Sequence, residues 1–328
     1  MLRTVLPKLS RIQAPVRDGL DQVLDELRRI VLSDFRPVEE VNDYLLLARG
    51  KLFRPTLLLL SNRIGERPDE RAATIAAVVE LTHLATLVHD DSVDHSVLRR
   101  GMPTVNALWN HQTAVIMGDY LYSRSISELA RFGRVELIDV LAKAANEMSV
   151  GELRQLTSCD ALEFGEQDYF RLIASKTASL MSAACEMGAM IGDERWREPL
   201  SRYGYQLGLA FQIADDLIDY TIAEEVTGKP SGQDLREHKM TLPLINTLER
   251  LSGVERTLVT DFFADPDPRD DAIAEIVALV DSRGGLDYAR DRAQEFAERA
   301  AAELVGLPDG DATEALRDAV AYVVGRNR

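Results

Sequence analysis

The sequence predicts an all-α fold, one domain over residues 1–328, and three observations lead there. Apolar residues recur at helical spacing along nearly the whole chain, and no stretch alternates as a strand would. Glycine and proline, at 20 and 12, are modest for 328 residues, and the prolines are scattered rather than gathered into a linker. Two long apolar runs each close on an aspartate cluster of one spacing, Asp90-Asp91-x-x-Asp94 and Asp215-Asp216-x-x-Asp219.

Composition narrows the function classes. A hydrophobic content of 46% supports a sizeable core. The net charge of −16 argues against nucleic acid or an anionic membrane as a main partner. Cys159 and Cys185 alone give no disulfide framework and fit a reducing compartment. The N-terminus lacks an apolar core of signal-peptide length, and no run approaches the roughly 20 apolar residues of a membrane span. A soluble, cytoplasmic protein is expected.

The elements follow in order. Leu20, Val23, Leu24, Leu27, Ile30 and Val31 form one stripe, which predicts a helix over 18–32; a shorter one follows over 38–47. Arg49-Gly50-Lys51-Leu52-Phe53-Arg54-Pro55 is a turn into an apolar helix over 56–64, with Pro55 suited to its first turn. Lys51 and Arg54 then stand near a helix N-terminus, a place for anions, although two solvated loop bases explain them equally well. From Pro68 and Asp69 a helix runs to the first aspartate cluster. Residues 99–103 read as a loop. Thr104 reads as the cap of one long helix that passes Gly118 and ends near Ala130. Further helices are expected over 135–161, 166–191 and 195–220, the last ending in the second cluster. Lys176 falls mid-helix, where lysine is ordinarily solvated. Residues 227–241 read as a polar loop whose Lys229 and Lys239 can swing over a phosphate group. Helices over 243–251, 254–264, 270–283, 286–305 and 311–325 read as scaffold, with Arg326 and Arg328 as exposed bases.

Asp90 and Asp94 share a helix face, as do Asp215 and Asp219. Like charges side by side repel, and a divalent cation between them removes the conflict. One such cluster fits the solvated face of an acidic chain. Two, both closing apolar helices, do not. Arg99 and Arg100 follow the first cluster at once. Acids that recruit cations beside bases that recruit anions indicate a polyphosphate site. Mg²⁺ suits it, because Mg²⁺ takes oxygen ligands and bridges carboxylates to phosphates.

From about Arg49 to Pro243 the chain resembles the all-trans isoprenyl diphosphate synthases. Besides both clusters, the shared motifs are GKLFRP at 50–55, RRGMPT at 99–104, GDYL at 118–121, GELRQ at 151–155, KTASL at 176–180, GLAFQIADDLIDY at 208–220 and GKPSGQDLREHKMTLP at 228–243. The resemblance implies helices around a deep central cavity and, usually, a homodimer. It implies that Asp90, Asp91 and Asp94, with Asp215, Asp216 and Asp219, hold Mg²⁺, three ions in all. It also implies that Lys51, Arg54, His83 and Arg100 hold isopentenyl diphosphate. Arg99, Lys176, Thr177, Gln212, Lys229 and Lys239 match residues that hold the allylic diphosphate. Asp90, Asp94, Asp215, Lys176 and Arg99 are then the residues expected to drive ionisation. Unaided, His83 reads as a satisfied core histidine, and Thr177 and Gln212 as ordinary helix polarity.

Three positions depart from the family pattern. Arg49 stands where many members have glycine, and Leu52 where they often have a base. His238 replaces a glycine, and a positive φ there would strain it and bear on the placement of Lys239.

The implied reaction condenses isopentenyl diphosphate head-to-tail with an allylic diphosphate. A terpene cyclase shares the acidic motifs but has no need of the cradle formed by Lys51, Arg54 and Arg100. A non-catalytic subunit is expected to carry a damaged cluster, and both are intact. Ala85 and Thr86, five and four positions before Asp90, are small, and Thr82, Leu81 and Val78 beyond them add no aromatic block. A helical turn rises about 5.4 Å, comparable with one isoprene unit. The expected product is therefore a polyprenyl diphosphate longer than farnesyl diphosphate, with a short-chain product as the alternative.

Overall fold

Helices account for most of what the computed structural model describes, which is residues 7–47, 50–65, 68–99, 101–157, 161–221 and 232–326. The first half contains α1 (Leu9–Gln13), α2 (Arg17–Val31), α3 (Arg36–Leu47), α4 (Phe53–Asn62), α5 (Ala72–Val93), α6 (Val105–Leu108), α7 (His111–Phe132) and α8 (Val135–Thr157). Then come α9 (Glu166–Ile173), α10 (Ser179–Ile191) and α11 (Arg197–Thr221), followed by α12 (Gln233–Arg236) and α13 (Leu242–Leu248). The described chain closes with α14 (Gly253–Ala264), α15 (Asp270–Ser282), α16 (Gly285–Glu303) and α17 (Asp311–Gly325).

Position in the bundle follows from apolar pattern. A helix that is apolar all round must be covered all round. So α4 and α10 are buried along nearly their whole length. They pack on each other, and α10 also packs on α11. The partner of α5 is α7, and that of α11 is α16. By length and composition α5 is apolar enough to cross a membrane, contrary to the expectation from sequence, but 67% of that window is buried inside the protein. It is a core helix.

Several expected elements differ, each for a local reason. The 99–103 loop is a hairpin of β1 (Leu98–Arg99) and β2 (Met102–Pro103), paired antiparallel around Gly101 at φ 76°. Strands of two residues leave no alternation to read. The helix expected from 104 to 130 is broken after Leu108, because the Asn110 side chain accepts the Thr113 N–H at 2.7 Å and starts α7 afresh. The helix expected over 135–161 is described as far as Thr157, and Ala161–Glu163 is a 3-10 turn rather than α-helix. The helix expected over 166–191 is interrupted by a π-turn, Ala174–Ala178. Within the expected 227–241 loop, the described part, 232–241, contains the single turn α12 and is otherwise irregular. Lys229, Arg100, Arg49, Arg328 and Cys159 lie outside the described residues.

Candidate active site

Asp90 and Asp94 stand at the C-terminal end of α5, opposite the Gly151–Gln155 end of α8. Burial raises the Asp90 carboxyl to about 7, helped by Glu152 and Asp94 and opposed by Lys176 and Arg99. Those four residues therefore lie within electrostatic range of Asp90. Asp91 is buried and engaged from the other side: Arg99 Nε donates to its two oxygens at 2.7 and 2.8 Å. Arg99, on β1, reaches this carboxylate because the chain turns back at His95, whose φ is 51°, with the Ser96 N–H donating to the Asp91 carbonyl at 3.0 Å.

The π-turn decides where Lys176 points. Its ammonium pairs with Glu152 and donates to Gln155 Oε1 at 3.0 Å, so it is not the solvated lysine its mid-helix position suggests. Two glycines let the neighbouring helices close on this turn. A Cβ on Gly151 would lie 2.6 Å from Ser175 Cβ, and one on Gly208 would lie 2.5 Å from Ala178 Cα.

In the second cluster each aspartate has a different partner. Asp215 pairs with Arg326 at 2.6 Å. Arg326 is thus not the exposed base expected from sequence: its side chain is 15% exposed, and its guanidinium lies over Phe211 at 4.8 Å and Tyr322 at 5.9 Å. Asp216 is buried, and accepts from the Tyr169 hydroxyl at 2.6 Å and from Gln212 Nε2 at 2.9 Å. The Thr177 hydroxyl donates to Gln212 Oε1 at 2.7 Å. Burial and the neighbouring Asp234 push the Asp216 carboxyl well up, against the bonds donated by Tyr169 and Gln212. Asp219 starts α12, accepting the N–H groups of Gln233 at 3.1 Å and Asp234 at 2.9 Å.

Asp234 adds a further acid, raised to about 7 by burial and by Asp219. Burial pulls the Lys239 ammonium down, but Glu237, Asp234 and Asp94 around it outweigh this and leave it raised. Lys239 is therefore within electrostatic range of Asp94 in the first cluster and of Asp234, which is itself within range of Asp219 and Asp215 in the second. His238 has φ 53°, the left-handed backbone expected where the family has glycine, and its ring packs on Phe262 and Phe263. Leu52 also has positive φ, 48°, at the start of α4.

Lys51 and Arg54 flank Phe53, whose ring stacks on Phe211 at 5.5 Å, one turn before Asp215. The N-terminal end of α4 is thereby joined to the second cluster. His83, Thr86 and Asp90 lie three and four apart on one face of α5. Thr86 donates to the His83 carbonyl at 2.8 Å, while Ala85 is buried in the core at 2% exposure.

Sequence reading missed five residues of this constellation. Glu152 and Gln155 sit three apart within GELRQ, so their common face was available. Asp234 lies inside a matched motif. Tyr169 and Arg326 gave no local signal. Carboxylate oxygens fit a hard divalent cation better than a soft one. Among the described residues no three acidic, histidine or cysteine side chains converge on one point. Mg²⁺ commonly keeps several waters and takes one or two protein carboxylates together with substrate phosphates.

Residues 36–280 match the family model described as polyprenyl synthetase. The chain is 38% identical over 310 residues to an all-trans-nonaprenyl-diphosphate synthase (geranyl-diphosphate specific) of Rhodobacter capsulatus, covering 93% of this chain and 94% of that protein. It is 34% identical over 324 residues to a heptaprenyl diphosphate synthase component 2 of Geobacillus stearothermophilus, covering 98% and 99%. Among solved structures, a polyprenyl synthase from Caulobacter crescentus CB15, complexed with calcium and isoprenyl diphosphate, superposes with a TM-score of 0.91 at 31% identity, covering 98% of each chain.

Proposed function

The chain belongs to the polyprenyl synthetase family, and from that premise we propose that it is a Mg²⁺-dependent prenyltransferase adding isopentenyl diphosphate to an allylic diphosphate to give an all-trans polyprenyl diphosphate. The observation that carries the reading is that α5 brings Asp94, and α12, whose first N–H groups are held by Asp219 near the end of α11, brings Asp234 to the surroundings of one lysine, Lys239. Two acidic clusters sharing basic residues form a place for a diphosphate and its counter-ions.

The two clusters, Asp90, Asp91 and Asp94 with Asp215, Asp216 and Asp219, would hold the metal. Mg²⁺ held there would neutralise charge on the diphosphate leaving group and so lower the barrier to allylic C–O cleavage. Lys176 and Arg99 add fixed positive charge beside the same oxygens. The apolar faces of α4, α5 and α10 keep water from the allylic cation. Lys51, Arg54 and His83 hold isopentenyl diphosphate so that its double bond faces that cation. The proton lost at the end goes to the departing diphosphate. The proposed setting is the cytoplasm, with the chain acting as a homodimer.

The deciding experiment incubates the purified chain with Mg²⁺, an allylic primer and labelled isopentenyl diphosphate, and separates the products by length. Polyprenyl products support the proposal; a folded chain that incorporates no label overturns it. The likeness to a component 2 protein favours one second reading, a synthase that needs another polypeptide. Inactivity that is cured by adding a partner component would point there.

Two further outcomes are expected. Arg54→Ala raises the KM for isopentenyl diphosphate more than that for the allylic primer, and Lys176→Ala does the reverse and slows ionisation. Equal effects on both substrates would refute the division of the site. Ala85→Phe, which puts a ring beside the turn below Asp90, shortens the main product while condensation persists. An unchanged product distribution would place the floor of the cavity elsewhere.

A further inference from the structure

The Asp216 carboxylate is held by a hydrogen-bond chain that crosses three elements. Tyr169 comes from α9, Thr177 from the π-turn, and Gln212 and Asp216 from α11 one turn apart. Tyr169 donates to Oδ2 at 2.6 Å and Gln212 Nε2 to Oδ1 at 2.9 Å. Asp216, an acceptor, takes the NH2 end of the Gln212 amide, which leaves Oε1 to accept from Thr177 at 2.7 Å. A hydroxyl can donate or accept, so Asp216 sets the orientation of the amide and Thr177 closes the chain by donating to its far end. Thr177 has only one hydroxyl proton, and it is committed to Gln212. It cannot donate that proton to a diphosphate oxygen at the same time. Tyr169 is 1% exposed and Thr177 6%, so both are shielded from water that could replace these bonds.

We infer that Tyr169 and Thr177 are positioning residues for the second aspartate cluster, acting on the metal site through Asp216 rather than touching the allylic diphosphate. The inference rests on the metal-dependent activity proposed above. Asp216 lies next to Asp215 on the same turn of α11. Freed from Tyr169, the Asp216 carboxylate keeps one of its two side-chain donors, Gln212, and its change of position alters the geometry beside Asp215. Losing a residue that orients a metal-binding carboxylate typically costs about 10–100-fold in metal affinity.

The test uses the full chain and Mn²⁺ alone, without substrate, counting free Mn²⁺ by electron paramagnetic resonance. Tyr169→Phe and Thr177→Val are each expected to weaken Mn²⁺ binding by about 10–100-fold, while Thr177→Ser, which keeps the hydroxyl, binds as wild type does. At saturating metal both weakened variants keep a near-normal KM for the allylic primer. Unchanged Mn²⁺ affinity in Tyr169→Phe and Thr177→Val overturns the inference. So does a raised allylic KM with unchanged Mn²⁺ affinity, which would make Thr177 a substrate ligand. If Tyr169→Phe does not fold, Thr177→Val, close in shape to the native residue, decides alone. Mn²⁺ binding that responds to the variants in a chain without turnover would remove the proposed activity and leave the inference standing. Turnover with unresponsive binding would do the opposite.

Discussion

Asp90→Ala and Asp215→Ala each lower turnover by at least about 10²–10³-fold, the usual scale for removing one group that stabilises transition-state charge. The fold survives both changes. Asp90 is a carboxylate raised to about 7 by burial, Glu152 and Asp94, so its removal relieves repulsion as well as deleting a ligand. Asp215→Ala leaves Arg326 without its carboxylate, but the guanidinium keeps its place over Phe211 and Tyr322. Steady-state assays at saturating Mg²⁺, with circular dichroism as the control for folding, check the expectation. Near-normal activity in both variants would rule out the two-cluster mechanism.

Mg²⁺ raises the melting temperature by more at pH 8 than at pH 5. Asp90 and Asp234 both sit at about 7 in the folded chain, above the ordinary aspartate value of 3.8. For an acid raised on folding, the stabilising contribution is full below the unfolded pKa and is lost as pH rises through the folded one. Between pH 4 and pH 7 the metal-free protein therefore loses stability from these groups. Above that window they are ionised, repel their neighbours and bind a cation readily. Below it the cation must first displace protons. Shifts of several degrees are expected, since about 1 kcal/mol moves the melting temperature by roughly 2–4 °C in larger domains. Scanning calorimetry with Mg²⁺ or a chelator at both pH values measures this, and an Mg²⁺ increment independent of pH would contradict it. In Asp90→Asn the metal-free melting temperature at pH 8 should exceed that of the wild type.

What could be read from sequence followed the range of the forces involved. The aspartate clusters were legible because two carboxylates on one helix face need a fixed spacing, visible within five residues. The all-α class was legible because its apolar period repeats along the whole chain. Contacts that join distant elements were not. The pairing of Arg326 with Asp215 spans 111 residues, and nothing in the terminal sequence marks that arginine as buried. Lys176 looked solvated because its partners Glu152 and Gln155 belong to another helix. The strain at His238 was foreseen, since it needs only knowledge of the residue type that the backbone prefers there.

The π-turn at 174–178 has a consequence for how this segment tolerates change in length. An α-helix advances about 100° per residue, and a π-turn takes one extra residue into a turn without advancing the helix by that angle. The turn thus absorbs one residue while α9 and α10 keep the phase of a continuous helix. Deleting one of its five residues would let the backbone relax into regular α-helix with Tyr169 and Ile173 still on the inner face. What disappears is the widened turn that carries Lys176 and Thr177. A one-residue deletion here would therefore leave the wall in register and remove only the local geometry of the site, which separates loss of function from loss of fold.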